Sequence, residues 1–535
     1  MTDVLLPLSI AVPIVAATLP LALGLRYDDV GWPVAAVTTL GVVGSAAAVA
    51  LEVYTAGPFD HELGGFAPPI GIELVADELS AAVFLLVALV SAATLVLSRA
   101  IGPRGNAFHS AYLLLTGGLV GVALTGDLFN LFVFLEIVGL TTYALIAADR
   151  SGASAYASLK YLVVGTVGAS LYLVGVGYVF LATGTLNMAD VSTQIVEQAS
   201  YTDPLIRAGY AFIVVGFALK IALFPVHSWQ PDAYQRAPDA VTTLVAALVS
   251  TVSAYALIRV SYSVFTVDFL AANDAITTGI LVVSGVSILA GSALAVMQSD
   301  LKRMFAYSSV AQFGMIAAAV GIADETALLG GVVHLVGHGL MKFGLFCGLA
   351  LLAAGYGARR VEDLASLARD APFAAGALAV LGLSLVGIPP SVGFLGKWYI
   401  ALGAVRSAGA TGGVVGIGLA AVILASTLFT LAYVARVIEQ LYFAGVDREA
   451  AAHGVTAPGD RGGPGDGTDR DAGSAVADGG DGGNAGDGVD AAVPGTVPTA
   501  PLVVLVVAAL VTVGLGFAGA GFETLLDPYL SEVFA

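Results

Sequence analysis

Runs of apolar residues long enough to cross a bilayer recur about fourteen times along this chain, and no other feature limits its fold as much. A spanning helix needs about 20 such residues, because in lipid every backbone polar group must be bonded within its own segment. Of the 535 residues, 58% are apolar and 11% charged, with a mean hydropathy of +0.91. Soluble domains carry about 25% charge. A soluble enzyme, a nucleic-acid binder and a disordered protein are therefore excluded. The expected fold class is an all-α polytopic membrane protein of about 14 transmembrane helices. Its 66 glycines suit close helix packing in lipid. The single cysteine, Cys347, lies in an apolar run, which excludes an intrachain disulfide framework and a thiolate metal cluster.

The spans fall near 4–24, 32–53, 79–98, 109–125, 128–148, 158–183, 206–223, 239–261, 275–297, 305–322, 327–354, 373–402, 413–443 and 499–521. No positive charge precedes the first apolar run, so it reads as a retained span rather than a cleaved signal. Arg26, Arg99, Arg104, Arg150, Arg236, Lys302, Arg303, Arg359, Arg360 and Arg369 all fall in odd-numbered loops. The even loops are acidic, with Asp60, Glu62, Glu73, Asp77 and Asp190 among their residues. The positive-inside rule then makes the odd loops cytoplasmic and puts both termini outside. Arg207, Arg259 and Arg406 dissent, but each sits at a span end, where it is read as snorkelling.

Residues 447–498 are rich in Gly and Asp and poor in apolar residues, and are expected to be a disordered acidic cytoplasmic linker. Calcium binding there is disfavoured, because the Asp spacing fits no EF-hand loop. The net charge of -18 reads as an acidic solvated surface suited to a salt-rich cytoplasm. The expected location is the plasma membrane of a prokaryote, a halophilic archaeon.

The lysines are the most informative residues. Of the five, only Lys302 sits in a loop; Lys160, Lys220, Lys342 and Lys397 fall in apolar stretches. A charge at the bilayer centre costs about 2.5–3.5 kcal/mol on insertion scales, so intramembrane ionisable residues read as ion-pathway residues. Lys220 precedes Pro225, which is expected to break its helix one turn later. Lys397 follows a second interruption at Gly387, Pro389, Pro390 and Gly393. Two Pro-interrupted segments in the two halves of a chain point to inverted repeats with sites on broken helices. Lys160, near a span end, reads as snorkelling unless an acid lies close. Glu136 is the only carboxylate read as lying well inside a span; a nearby lysine would let it share charge. Asp127 opens that helix and reads as its cap.

His334, His338 and Lys342 recur every four residues and so share one helix face. An HxxxH pair can hold zinc. Here no third ligand is evident and the lysine opposes a dication, so a proton-relay face is favoured and no metal is expected. Hydrogen-bonded core histidines are the plain alternative. His227, after Pro225, reads either as a proton carrier to the cytoplasm or as a loop cap. No phosphate loop, dinucleotide fingerprint, haem motif or iron–sulfur cysteine set occurs, so no cofactor is expected and no redox or nucleotide chemistry of the chain's own.

With these motifs, the chain resembles the antiporter-like subunits shared by Mrp-type sodium/proton antiporters and respiratory complex I. The resemblance rests on GDLFNLFVFLE (126–136), KIALFPVHSWQPDAYQRAP (220–238), SDLKRMFAYSSVAQFG (299–314), HLVGHGLMKFGLF (334–346) and GIPPSVGFLGKW (387–398). GDLFN before the helix glutamate looks more like the Mrp D subunit. The resemblance implies fourteen helices and two inverted five-helix units, helices 4–8 and 9–13, with helices 7 and 12 broken. It divides the chain into 1–108, the half-channel units 109–261 and 275–446, the linker 447–498, and a last helix within 499–535. It assigns Glu136 and Lys220 to the ion pair of the first unit. It assigns His334, His338 and Lys342 to a central relay and Lys397 to the end of the second unit. Such subunits work within hetero-oligomeric membrane assemblies, here with protons and Na+ as the ions.

One departure matters. Many relatives carry a lysine in helix 8, where this chain reads TVSAYALIRV and has Thr251. Either waters around Thr251 bridge the two units, or His227 or His334 takes over. Three functions follow. The first is a proton-translocating subunit of a cation/proton antiporter. The second is the proton-pumping membrane arm of an NADH/quinone- or ferredoxin-type oxidoreductase or a membrane hydrogenase. The third is a scaffold subunit with a vestigial channel.

Overall fold

The computed structural model describes residues 3–411, 413–445 and 495–535. Up to residue 494, the expected linker lies outside the described residues. Twelve described helices are long and apolar enough to cross a membrane. In chain order the helices are α1 (Leu5–Gly24), α2 (Gly31–Ala56), α3 (Glu78–Ile101), α4 (Asn106–Leu124), α5 (Leu128–Asp149) and α6 (Gly152–Thr183). A short α7 (Met188–Glu197) leads to α8 (Pro204–Lys220) and α9 (Trp229–Arg236). Then follow α10 (Asp239–Ala272), α11 (Asp274–Val296), α12 (Leu301–Ile322) and α13 (Glu325–Tyr356). The chain closes with α14 (Pro372–Val386), α15 (Val392–Thr411), α16 (Val414–Tyr442), α17 (Thr499–Phe517) and α18 (Gly519–Phe534).

The acids of the loops cap the helices. Asp127 accepts from the Asn130 amide at 2.6 Å, and Asp203, Asp300 and Asp324 cap α8, α12 and α13 in the same way. Asp77 and Ser80 form a reciprocal capping box on α3. These side chains satisfy amides that lipid would leave bare.

Apolar patterning alone misses one element. Between α2 and α3 the chain forms an antiparallel hairpin of β1 (Phe59–Glu62) and β2 (Glu73–Ala76), in register Phe59 to Ala76. Single bridges from Leu74 to Thr125 and from Asp127 to Asn187 stitch this hairpin to two further loops on the same face.

The broken helices end alike. The first stops at Lys220 itself, and not one turn later at Pro225 as expected. The Leu223 amide bonds back to Ala218 O at 2.9 Å and the Ala222 amide to Leu219 O, with Ala222 at φ 56°. That is a Schellman cap with alanine in the left-handed position. Helix α14 ends the same way: Ile388 bonds to Leu383 O at 3.1 Å and Gly387 has φ 91°.

The innermost element is α10, whose most apolar stretch is wholly buried. It is not a uniform α-helix: Val245–Val249 and Val260–Phe265 are π-helical and bracket Ser250–Arg259. Helices α12 and α13 are nearly as enclosed, whereas α11 and α16 keep most of their surface outward. Thr251, Gln312, His334, His338 and Lys342 all lie on these three most enclosed helices.

Candidate ion pathway

The first cluster forms where α8 breaks. Lys220 Nζ lies 3.2 Å from Glu136 Oε1 of α5, and the lysine is buried. Because the helix stops at Lys220, the lysine sits in its last turn, where the helix dipole favours a cation. Gly139, one turn after Glu136, leaves the space: a Cβ there would lie 3.5 Å from Nζ. The Lys220 carbonyl accepts from Ser250 Oγ at 3.4 Å, and Gln230 Nε2 reaches both Ser250 Oγ (3.3 Å) and Tyr234 OH (3.1 Å). Ser250, Gln230 and Tyr234 thus join the site, although sequence reasoning passed them over. The signal for Gln230 was its place in the Pro-rich run after the break.

Thr251 is fully buried in the α-helical centre of α10, and its hydroxyl has no hydrogen-bond partner among the described residues. His227 does not join α10. Its ring stacks on Phe224 (5.1 Å) and lies 5.9 Å from Tyr307 of α12.

The second cluster runs along α13. His334 Nε2 and Gln312 Oε1 of α12 are 2.8 Å apart. Both nitrogens of His338 lack a partner among the described residues, and Phe313 meets its ring edge-on at 4.7 Å. The two histidine rings are 6.4 Å apart. Lys342 Nζ donates to Phe305 O at 2.6 Å and to Ser308 Oγ at 2.5 Å. Helix α15 then brings in Lys397. Gly396 lies so close to His334 that a Cβ would fall 2.6 Å from the histidine Cβ, so only glycine admits this approach. Lys397 Nζ donates to Leu385 O (2.8 Å) and Val386 O (3.0 Å), the last carbonyls of α14. Lys397 thus places its ammonium at the C-terminal end of an interrupted helix, whereas the Lys220 ammonium meets Leu135 O and Glu136 of α5. Among the described residues no group of three His, Cys, Asp or Glu side chains is arranged to hold a metal.

The two ends of the buried region carry ion pairs. Lys160 meets Asp232 at 2.6 Å, so the reading of it as a lone snorkelling lysine is corrected: an acid lies within reach. Asp232 also pairs with Arg303 (2.8 Å), and Asp239 with Lys302 (3.0 Å) and Arg359 (3.3 Å). Burial pushes the Asp232 carboxyl up, but Lys160 and Arg303 outweigh it and hold it below the usual carboxylate range.

At the other end, Arg259 is buried against Asp77, and this pair corrects one expectation: Arg259 does not snorkel. Asp77 is buried too, but at the head of α3 and not inside a span. Arg259 Nη2 donates to Asp77 Oδ1 at 2.6 Å while Nη1 donates to Oδ2. The cause is the hairpin: Asp77 directly follows β2 and meets Arg259 of α10, where a bidentate partner compensates the desolvated guanidinium.

This arrangement has known relatives. The family described as NADH:quinone oxidoreductase/Mrp antiporter, TM, matches residues 125–425. The chain is 39% identical over 457 residues to NADH-quinone oxidoreductase subunit N of Desulforudis audaxviator, covering 84% of this chain and 87% of that one. It is 33% identical to a Na(+)/H(+) antiporter subunit of Alkalihalophilus pseudofirmus, covering 66% of this chain and 72% of that one. A chain in the structure of the membrane-bound sulfane sulfur reductase, an archaeal respiratory membrane complex, aligns with a TM-score of 0.83 at 27% identity, covering 99% of this chain and 97% of that one. Homologous subunits thus sit in multi-subunit membrane complexes. The chain belongs to the NADH:quinone oxidoreductase/Mrp antiporter transmembrane family and is a multi-pass, antiporter-like membrane subunit.

Proposed function

We propose that the chain moves protons within a multi-subunit monovalent cation/proton antiporter that exchanges them for Na+. The observation that carries this is the Glu136–Lys220 pair, 3.2 Å apart at a helix break. A carboxylate and an ammonium this close set each other's proton affinity, so a proton reaching one is felt by the other. In this reading Glu136 and Lys220 serve the unit 109–261. His334, His338, Lys342 and Lys397 serve the unit 275–446, and Ser250 and Thr251 lie between. The Lys220 ammonium is held by Glu136 and the Lys397 ammonium by the end of α14, which suits groups that gain and lose a proton without moving far. The odd-loop face, with Lys302, Arg303 and Arg359, is the cytoplasmic one, both termini lie outside, and the acidic composition suits a salt-rich cytoplasm.

A second reading has its own support, the 39% identity to an NADH-quinone oxidoreductase subunit. There the same axis would be driven by a redox enzyme. Purifying the complex through a tag on this subunit separates the two. Small antiporter subunits without redox proteins are expected; iron–sulfur or quinone-reducing chains would replace exchange with a redox-driven pump.

A further inference from the structure

One cavity serves neither cluster. It has a volume of about 310 Å³, opens on the hairpin face, and is lined by Glu73, Asp77, Tyr255, Arg259, Tyr529 and Glu532 among others. Its place in the molecule is set by α10. That helix begins at Asp239, inside the Lys302–Arg359 charge cluster, and reaches Arg259 twenty residues on. At 1.5 Å per residue the separation is about 30 Å, the thickness of a bilayer core. The cavity therefore opens on the face opposite that cluster.

Arg259 is held from three sides at the cavity. Asp77 takes both arms of its guanidinium, Tyr255 OH accepts from it at 3.2 and 3.3 Å, and the Tyr255 and Tyr529 rings lie 5.6 and 5.7 Å from its centre. An ion pair is a poor means of stabilising a protein interior, because desolvation offsets the attraction and apolar residues do as well. Its presence here calls for another role. Inward of Arg259, Tyr255 and Thr251 follow at intervals of four on the same face of an α-helical stretch. Thr251 is fully buried with a hydroxyl that has no partner among the described residues, and its neighbour Ser250 donates to the Lys220 carbonyl. π-Helical segments stand at both ends of this stretch; such segments are frequent at functional sites.

We propose that this cavity is an access port for water and protons, closed by the Asp77–Arg259 pair and continued inward along Tyr255 and Thr251 to the backbone of Lys220. The port's use in exchange rests on the proposed function; its existence as a gated route does not.

The test is thiol accessibility in the intact complex, in sealed vesicles, with Cys347→Ala removing this chain's own cysteine and labelling read on this chain. The probe is a membrane-impermeant trimethylammonium methanethiosulfonate. Asp60→Cys on β1 and Arg360→Cys, both at exposed positions, report which face the reagent reaches. Thr266→Cys, in the cavity lining, is expected to react from the hairpin face whether or not Arg259 is changed, which also certifies the fold. Thr251→Cys is expected to react slowly with the pair intact or with Arg259→Lys. It should react about tenfold faster or more with Arg259→Ala or Asp77→Asn, from the hairpin face alone. An unchanged Thr251→Cys rate, reaction from the Arg360 face, or an unreactive Thr266→Cys would overturn the port. A gated port in a complex without exchange would keep this inference and remove the transport reading.

Discussion

Lys220 and Glu136 come from helices whose sequence positions are 84 apart, yet their charged atoms stand 3.2 Å from each other at the point where α8 breaks. The pair joins a structural necessity to a chemical one. The break frees backbone groups that must be satisfied, and the cation at the helix end, with its carboxylate, is held in the same place. Removing Glu136 leaves the buried Lys220 ammonium uncompensated, a change that typically costs about 3–5 kcal/mol unless the lysine neutralises.

Neutralising the lysine should therefore separate assembly from transport. Lys220→Met is expected to leave the complex intact on native gels and to lower exchange in vesicles by more than about tenfold, with Lys220→Arg failing to restore it. Exchange near the unaltered level in Lys220→Met would count against the pathway.

The alanine in the first helix cap invites a stability measurement. A left-handed non-glycine residue costs about 1–2 kcal/mol, so Ala222→Gly should raise the melting temperature of the purified complex. Gly387→Ala should lower it, because the new Cβ would also crowd Lys397 at 3.2 Å. Equal and opposite shifts to these would refute the cap assignment.

Thr251 is fully buried in α10, on the face that carries Tyr255 and Arg259. Thr251→Val preserves shape and removes the unpartnered oxygen, so folding should be retained or slightly improved while exchange slows. Thr251→Ser should keep exchange near normal. A Val variant that exchanges at full rate would show that the hydroxyl carries nothing.

Asp232 offers a pH-dependent check. Its folded-state pKa is lowered, so its pairing with Lys160 and Arg303 stabilises fully above the ordinary carboxylate value of about 3.9 and is lost as pH falls through the lowered value. The contribution is small, on the order of a kcal/mol or less, because the carboxylate stays in touch with water. Thermal melts of the complex should show Asp232→Asn destabilised at neutral pH and level with the parent in strong acid.

How far these features were legible in the sequence depends on how local their signals are. Twelve of the spans follow from apolar length alone, because lipid makes length decisive. Both breaks were visible in their prolines, and the His334–His338–Lys342 face in its spacing of four. The site of the first break was not. Helix termination at Lys220 depends on Ala222 adopting a conformation usually left to glycine, and nothing in its identity announces that. The Asp77–Arg259 pair was missed because its partners lie 182 positions apart and meet only through a hairpin that span patterning ignores. Nor do the residues of Val245–Val249 and Val260–Phe265 differ in kind from their neighbours, so the π-helical segments leave no trace in composition.

The central claim is that a proton passes through the Glu136–Lys220 pair in exchange for a cation. The most direct measurement is a Na+ pulse applied to proteoliposomes holding the purified complex, with internal pH followed by a trapped dye. A prompt pH change is expected with the parent complex and none with an equally assembled Glu136→Gln complex. A full response from Glu136→Gln, or a pH change that requires a redox substrate instead of Na+, would contradict it.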